Sequence, residues 1–234
     1  MAVVVALEPA SRRSHAELAE IFSAGYEDYY TPFTVDEVAF RFMSELWDDD
    51  VDASRVAVVD GDPAGIAKLA IRGDRGWIAG VGVAVPHRGK GLGEQLMRAV
   101  IEGARARGLR EIWLEVLVQN EPAIRLYEKL GFGTVRELEV WTLENLQDGE
   151  PLVASAEEAH ARIRAGRASR EPWQRADETV ANSTGLEGVV HEDGSLLFRR
   201  SGDRLSLLQG LASDQAAAER LLRSLPPETT ASSG

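Results

Sequence analysis

The strongest constraint in this sequence is a glycine-rich turn, VGVAVPHRGKGLG at residues 81–93, which joins an apolar run to an amphipathic one. The apolar run predicts a strand, and the recurrence of apolar residues at helical spacing after the turn predicts a helix that packs on a sheet. Glycine reaches positive φ and leaves no Cβ between main-chain N–H groups and a ligand. A helix N-terminus also carries unpaired N–H donors and a partial positive charge, to which Arg88 and Lys90 add formal charge. The turn therefore predicts an anion site of the size of a diphosphate.

Other glycine-rich phosphate turns do not match this spacing. A P-loop requires Ser or Thr directly after its lysine, whereas Gly91 follows Lys90. The glycines at 89, 91 and 93 give GxGxG and not the GxGxxG of dinucleotide-binding strands. An ordinary tight connection between a strand and a helix remains the structural alternative for this segment alone.

A second motif, NEPAIRLYEKLGF, occupies residues 120–132. Asn120 is a favoured N-cap residue, and Gly131 is placed to end the helix with a left-handed residue. Tyr127 lies within that helix and projects to the same side as Ala123 and Ile124. Taken singly, Tyr127 could equally be a core side chain.

In this order and spacing, the two segments resemble the motifs of the GCN5-related N-acetyltransferase (GNAT) family. Arg88, Gly91 and Gly93 match the family's [Q/R]-x-x-G-x-[G/A] loop, and residues 120–132 match its N-x-x-A-x-x-[L/F]-Y-x-x-x-G-F pattern. The resemblance covers roughly residues 3–143. It implies that main-chain amides of the turn hold the pyrophosphate of acetyl-CoA and that the preceding strand pairs with the pantetheine arm. The residues it implies for coenzyme binding are Val83, Ala84, Val85, Arg88, Gly89, Lys90, Gly91, Leu92, Gly93 and Asn120.

The same resemblance implies the chemistry of transfer. Tyr127 would act as general acid toward the departing thiolate, because a phenol with a pKa near 10 keeps its proton at neutral pH. We predict Glu115, on a strand expected at residues 111–118, as the base that deprotonates the amine. This segment is similar to that of bacterial ribosomal-protein alanine N-acetyltransferases, in which the equivalent Glu is the base. A carboxylate held in a salt bridge at the strand end is the alternative, and a water relay could replace the base.

Composition excludes several other classes of site. The chain contains no cysteine, so a disulfide, a thiolate zinc site and a cysteine nucleophile are ruled out. Its 26 Lys and Arg against 38 Asp and Glu give a net charge of −12, which argues against a nucleic-acid partner. The four histidines show no metal-ligand spacing, so no metal is expected. No apolar run reaches the roughly 20 residues needed to cross a membrane, and we expect a cytoplasmic protein with no membrane partner.

The pattern of elements predicts an α+β fold, a mixed and mostly antiparallel GNAT-type sheet flanked by helices, over residues 1–148. A Ser14–Glu17 capping box opens the first helix, Thr34 is expected to cap the second, and a last strand is predicted at residues 135–143. Residues 149–234 should form a small C-terminal α/β module of helices, a three-stranded meander and a final helix capped by Ser213. This module looks like a degenerate acetyltransferase half, and we expect it to cover the substrate cleft or to form a homodimer interface.

The sequence thus predicts an N-acetyltransferase that moves an acetyl group from acetyl-CoA directly to a primary amine of a small molecule or peptide. No covalent acyl-enzyme is expected, and a main-chain N–H near Val83 would stabilise the developing oxyanion. The alternative is a non-catalytic acyl-CoA-binding sensor or interaction protein with the same fold. Aromatic and acidic residues at 26–33 suit an ammonium-bearing acceptor, although an ordinary half-buried loop explains them equally well. The identity of the amine is left open.

Overall fold

The computed structural model of the protein describes residues 4–30, 33–140, 154–202 and 204–225. The chain forms two compact units, Met1–Glu137 and Leu138–Gly234. The domain boundary expected at residue 148 stays a prediction, because it falls outside the described residues. Among the described helices, none combines the length and the apolar composition required to cross a bilayer.

The first unit is built around a mixed sheet with strand order β1-β2-β3-β4-β5. Neighbouring strands are antiparallel except for β4 and β5, which are parallel. This arrangement confirms the predicted α+β class with a mostly antiparallel sheet and flanking helices. In chain order the elements are β1 (Val5–Pro9), α1 (His15–Gly25), α2 (Glu37–Trp47), β2 (Arg55–Val59), β3 (Asp62–Arg72), β4 (Arg75–Val83), α3 (Leu92–Ala106), β5 (Glu111–Trp113) and α4 (Glu121–Lys129).

The helices cover both faces of this sheet, because side chains alternate between faces along each strand. Ala67 and Leu69 of β3 lie in one core cluster with the buried face of α3. Ile66 lies on the opposite face, in a cluster with Leu18 of α1 and Phe40 of α2. The sheet therefore holds α3, which follows the glycine turn, on one face and α1 and α2 on the other.

The first helix begins as predicted and the second does not. The Ser14–Glu17 capping box is present, with reciprocal hydrogen bonds between each side chain and the other residue's main-chain N–H. Helix α2 is capped by Asp36, whose Oδ1 accepts from the Ala39 N–H at 2.8 Å, so the expected cap at Thr34 is wrong. A carboxylate two residues closer to the helix is better placed for its first N–H groups.

A β-bulge in β4 changes the geometry of the sheet. Lys68 pairs with Gly80 and the next residue of β3 pairs with Ile78, so Ala79 has no opposite residue. A bulge bends its strand, and the parallel pairing of β4 with β5 ends at Trp77 and Trp113. The strand predicted over residues 111–118 is therefore shorter than expected and ends at Trp113. Consequently Glu115 follows this strand and does not lie on it.

The last strand predicted for the acetyltransferase unit is also corrected. Residues 135–140 form no strand, and the rest of the predicted segment, 141–143, lies outside the described residues. Val135 is 71% exposed and Val140 is 97% exposed, so these apolar side chains pack on little of the part of the chain that the structure describes. Alternating hydrophobicity produces a strand only where a neighbouring strand accepts its main-chain hydrogen bonds.

The second unit contains an antiparallel sheet of order β6-β7-β8, as the predicted meander requires. A 3₁₀ turn at Trp173–Arg175 leads into the short helix α6 (Asp177–Ala181). The final helix is capped by Asp214 and not by Ser213, since Asp214 Oδ1 accepts from the Ala217 N–H at 2.8 Å. The elements are α5 (Ala156–Gly166), α6 (Asp177–Ala181), β6 (Leu186–His191), β7 (Gly194–Ser201), β8 (Arg204–Ala212) and α7 (Gln215–Arg223).

An ion cluster around Asp177 joins the helices of the second unit. The Asp177 carboxylate accepts from Arg167 of the segment after α5, and its Oδ1 lies 2.8 Å from His160 Nε2. The guanidinium of Arg167 holds the pKa of Asp177 far below the usual range of a carboxyl. Its position between helices and its saturated partners indicate a structural role.

Candidate active site

The strand that leads into the glycine turn, β4, stops short of Ala84 and Val85, two of the residues that the family resemblance implies for coenzyme binding. β4 ends at Val83, and Val85–His87 forms a 3₁₀ turn, so Ala84 and Val85 do not continue the strand. The Ala84 N–H still donates to the Ala64 carbonyl at 2.9 Å, which anchors the end of β4 to β3. Pro86 favours the turn because it has no N–H to donate to a ladder.

Glycines shape the turn itself. Gly89 has φ 72° and Gly91 has φ 77°, values that an L-residue rarely adopts. A Cβ added to either residue would meet no atom within 4 Å, so the turn is open on the side where these residues lack side chains. Gly91 is the N-cap of α3, and no side chain among the described residues caps this helix. The first N–H groups of α3 are thus available to an external acceptor, and the cradle fits an anionic diphosphate.

Leu92 and Gly93, the last residues of the turn, would contribute to ligand binding through main-chain groups. Leu92 is 4% exposed and belongs to the core beneath α3. Gly93 has an ordinary φ, and a Cβ there would lie 3.8 Å from Val83 Cγ2 and 3.9 Å from Leu126 Cδ2. A small side chain is therefore compatible with position 93, in contrast to position 91.

The two cations of the turn are directed at main-chain carbonyls. Lys90 Nζ donates to the Pro86 carbonyl at 2.8 Å. Arg88 Nε donates to the Val83 carbonyl at 2.9 Å, and its Nη2 donates to the carbonyls of Gly25 at 3.2 Å and Glu27 at 2.5 Å. Sequence reasoning placed both charges beside the anion site, and it did not foresee these carbonyl partners.

The helix of the second motif forms as its sequence indicates. Asn120 caps α4, with Oδ1 accepting from the Ala123 N–H at 3.3 Å, and Gly131 follows the helix with φ 92°. Tyr127 packs against the core cluster of α3 and contacts the ring of Phe132 edge-on, with centroids 6.1 Å apart. Burial raises the pKa of Tyr127 to about 12, so its hydroxyl keeps a proton across the physiological range.

Glu115 binds a partner that the sequence did not reveal. Its Oε2 accepts from the indole Nε1 of buried Trp77 at 2.5 Å. Glu115 as a residue remains accessible to solvent. The protein around its carboxylate nevertheless excludes some water, and this desolvation raises the pKa of the carboxyl. The hydrogen bond from Trp77 and the charge of Arg136 lower the pKa and only partly oppose that effect. An accessible carboxylate with a raised pKa has the properties of a general base.

An aromatic loop, residues 26–30, follows α1 and contacts the segment that opens α4. The Tyr30 hydroxyl donates to the Gln119 carbonyl at 2.9 Å, and Asn120 Nδ2 donates to the Tyr29 hydroxyl at 3.4 Å. Tyr29 is also close enough to Tyr127 to contribute to its raised pKa. The structure thus brings the aromatic loop, Asn120 and Tyr127 together.

A buried ion pair lies beneath the same helices and was missed by sequence reasoning. Lys68 Nζ lies 2.7 Å from Asp49 Oδ2, and the two side chains are 2% and 1% exposed. The ammonium also lies 4.5 Å from the ring centroid of Phe40 and 5.2 Å from that of Phe22. Only a lysine within the apolar run of residues 65–71 in β3 hinted at such a partner.

Comparison with known proteins agrees with this arrangement. The chain is 42% identical over 89 residues to streptothricin acetyltransferase of Streptomyces lavendulae, a match covering 36% of this chain and 47% of that one. The chain therefore spans about half the length of that relative. It is 33% identical over 131 residues to N-alpha-acetyltransferase 30 of Schizosaccharomyces pombe, covering 53% of this chain and 83% of that one.

The fold has a counterpart among solved structures. A GCN5-related N-acetyltransferase from Kribbella flavida superposes with a TM-score of 0.56 at 18% identity, over 95% of this chain and 61% of that one. The model of the acetyltransferase (GNAT) family matches residues 16–132, a stretch that includes both motifs, Glu115 and the aromatic loop. On this match and the geometry of the glycine turn, the chain belongs to the GNAT acetyltransferase family.

Proposed function

We propose that this protein is an acetyl-CoA-dependent N-acetyltransferase that transfers the acetyl group directly to a primary amine of a small molecule or peptide. The observation that carries the proposal is the uncapped N-terminus of α3 behind two glycines with positive φ, in the same compact unit as Tyr127. Acetyl-CoA supplies an acetyl group that is activated as a thioester.

The main chain of the turn would hold the coenzyme. The N–H groups of residues 89–93 would bind its diphosphate, because they head a helix whose dipole favours anions. The Ala84 N–H donates to β3. Successive residues of an antiparallel strand direct their main-chain N–H and C=O groups to opposite edges, so those of Val83 point to the other edge of β4. That edge is not paired with β5 beyond Trp77. The Val83 carbonyl, which accepts from Arg88 Nε, has a second lone pair that could accept from a pantetheine amide, and the Val83 N–H is suited to stabilise charge on the acyl oxygen.

Tyr127 and Glu115 would carry out the two proton transfers of the reaction. An alkyl amine with a pKa near 10.4 costs about 4–5 kcal/mol to deprotonate at pH 7, so a base is useful, and the raised pKa of Glu115 strengthens it as a base. Tyr127, kept protonated by burial, would protonate the thiolate as the carbon–sulfur bond breaks. The chain has no cysteine to form a thioester with the acetyl group, which favours direct attack by the amine.

The acceptor would be an amine whose ammonium group binds to the aromatic loop. The rings of Tyr26 and Tyr29 lie 5.1 Å apart, and such aromatic faces attract ammonium groups. By their names, one relative acts on streptothricin and another is an N-alpha-acetyltransferase. We therefore propose small-molecule amines and peptide N-termini as the two classes to test.

Two measurements test the proposal. Calorimetry with CoA should detect binding, and thiol release from acetyl-CoA should accelerate with at least one amine of a panel drawn from both classes. Binding of CoA without thiol release from either class would favour the non-catalytic sensor. No binding of CoA at millimolar concentration would contradict both functions.

A further inference from the structure

Arg88 connects three separate segments of the first unit. Its Nε binds the carbonyl of Val83, the last residue of β4, and its Nη2 binds the carbonyls of Gly25 and Glu27. Gly25 is the last residue of α1, and Glu27 lies in the aromatic loop. Three of the five guanidinium N–H donors are thus engaged by main-chain carbonyls.

The position of this guanidinium follows from helix electrostatics and close packing. The last carbonyls of a helix have no partners within it and carry a partial negative charge, which a cation stabilises. A Cβ on Gly25 would lie 2.7 Å from Cα of Gly82, so the end of α1 rests directly on the main chain of β4. This close approach puts the Gly25 carbonyl within reach of Arg88, which extends from the glycine turn.

We propose that Arg88 is a positioning residue for the amine acceptor, which fixes the aromatic loop against the end of β4 instead of binding the coenzyme phosphates. This inference rests on the proposed acetyltransferase function. The loop in turn contacts Gln119 and Asn120 through Tyr30 and Tyr29, next to the helix that carries Tyr127. Loss of Arg88 therefore displaces the acceptor relative to Tyr127, whereas the main-chain donors at residues 89–93 remain for the diphosphate.

Two variants of the turn separate positioning from phosphate binding. Arg88→Met removes the guanidinium and retains much of the side chain's length. Lys90→Met removes an equal charge, which within the described residues donates to the Pro86 carbonyl of the same turn. Hydrogen exchange of residues 25–30 in the ligand-free protein should accelerate in Arg88→Met and remain unchanged in Lys90→Met. Arg88→Met should lower kcat/KM for the amine by about 10- to 100-fold, the scale of a small misplacement of reactants, and leave the Kd of CoA little changed.

The opposite pattern would overturn the inference. If Arg88→Met weakened CoA binding by the same factor as kcat/KM and left exchange of residues 25–30 unaltered, Arg88 would be a phosphate ligand. Arg88→Lys is a second variant, in which the same hydrogen exchange is measured if Arg88→Met does not fold. It keeps the charge but cannot reach three carbonyls, so it should reproduce the faster exchange, and wild-type exchange would contradict positioning. Failure of the wild-type protein to bind CoA would contradict the proposed function while leaving the exchange comparison valid.

Discussion

Replacing Gly91 with alanine tests the backbone geometry on which the proposed coenzyme site depends. At φ 77° an L-residue is strained by about 1–2 kcal/mol, because its Cβ crowds its own main chain. No other atom lies within 4 Å of the added Cβ, so strain is the whole expected cost. We expect Gly91→Ala to lower the free energy of unfolding of the first unit by that amount. It should also weaken CoA binding, because the ligand-free turn can relax out of the conformation that presents its N–H groups.

Gly93→Ala is the matched control, since it makes the same chemical change two residues away. Gly93 lies in the first turn of α3 without positive φ, and its Cβ would make ordinary contacts at 3.8 and 3.9 Å. Alanine there should stabilise the unit by about 0.4–1 kcal/mol, through reduced entropy of the unfolded chain. The two variants should therefore differ by roughly 2 kcal/mol, which is more than a tenfold difference in the unfolding equilibrium.

Native-state hydrogen exchange of amides in β3 and β4 measures this difference within the first unit alone. Equal exchange in Gly91→Ala and Gly93→Ala would refute the assignment of the left-handed conformation to position 91. A Gly91→Ala variant with wild-type stability and wild-type CoA affinity would also remove the glycine turn as the basis of the coenzyme site.

Four further substitutions probe the proton transfers and the packing. Tyr127→Phe should lower kcat by roughly 10²–10⁴-fold and leave the Kd of CoA nearly unchanged, because it removes only a proton donor. In the wild type, kcat/KM should rise with pH as the Glu115 carboxylate forms. This acidic limb should lie above the ordinary glutamate range, because burial raises the pKa of Glu115. Glu115→Gln should abolish the limb. Lys68→Met should lower the free energy of unfolding by about 3–5 kcal/mol, because Asp49 stays buried without its cation, and adding Asp49→Asn should restore most of that loss.

Each of these variants has an outcome that contradicts its argument. Unchanged turnover in Tyr127→Phe would remove the phenol as the acid. An unshifted acidic limb in Glu115→Gln would leave the base to another group or a water relay. If Lys68→Met unfolded at the same urea concentration as the wild type, or if adding Asp49→Asn deepened the loss, the buried pair would not be a coupled structural unit.

Signals that act within a few residues were sufficient to predict the local parts of the site. Glycine at positions 89 and 91 indicates a left-handed turn, and Asn120 and Gly131 mark the two ends of α4; all four appear in the structure. Each of these features depends on main-chain conformation and on hydrogen bonds to residues three or four positions away. The order and spacing of the two motifs were also enough to indicate the family.

The local sequence signals did not predict contacts between segments that are distant along the chain. Trp77 and Glu115 are 38 residues apart, and Arg88 and Gly25 are 63 residues apart. The bulge at Ala79 shortened β5 and so changed the setting of Glu115, and nothing in the local pattern of residues 111–118 marks it. A bulge depends on how two strands pair across the sheet, and a single-strand pattern carries no information on the register of its neighbour.

Local sequence was thus sufficient to specify a glycine turn at the head of an amphipathic helix and a capped helix that carries Tyr127. The tertiary structure decided where the charged side chains point: Arg88 toward the carbonyls of α1 and β4, and Glu115 toward the indole of Trp77. The physical reason is that helix caps and positive-φ turns are formed by neighbours along the chain. The partners of a long charged side chain, in contrast, are fixed only when the sheet and its helices have packed.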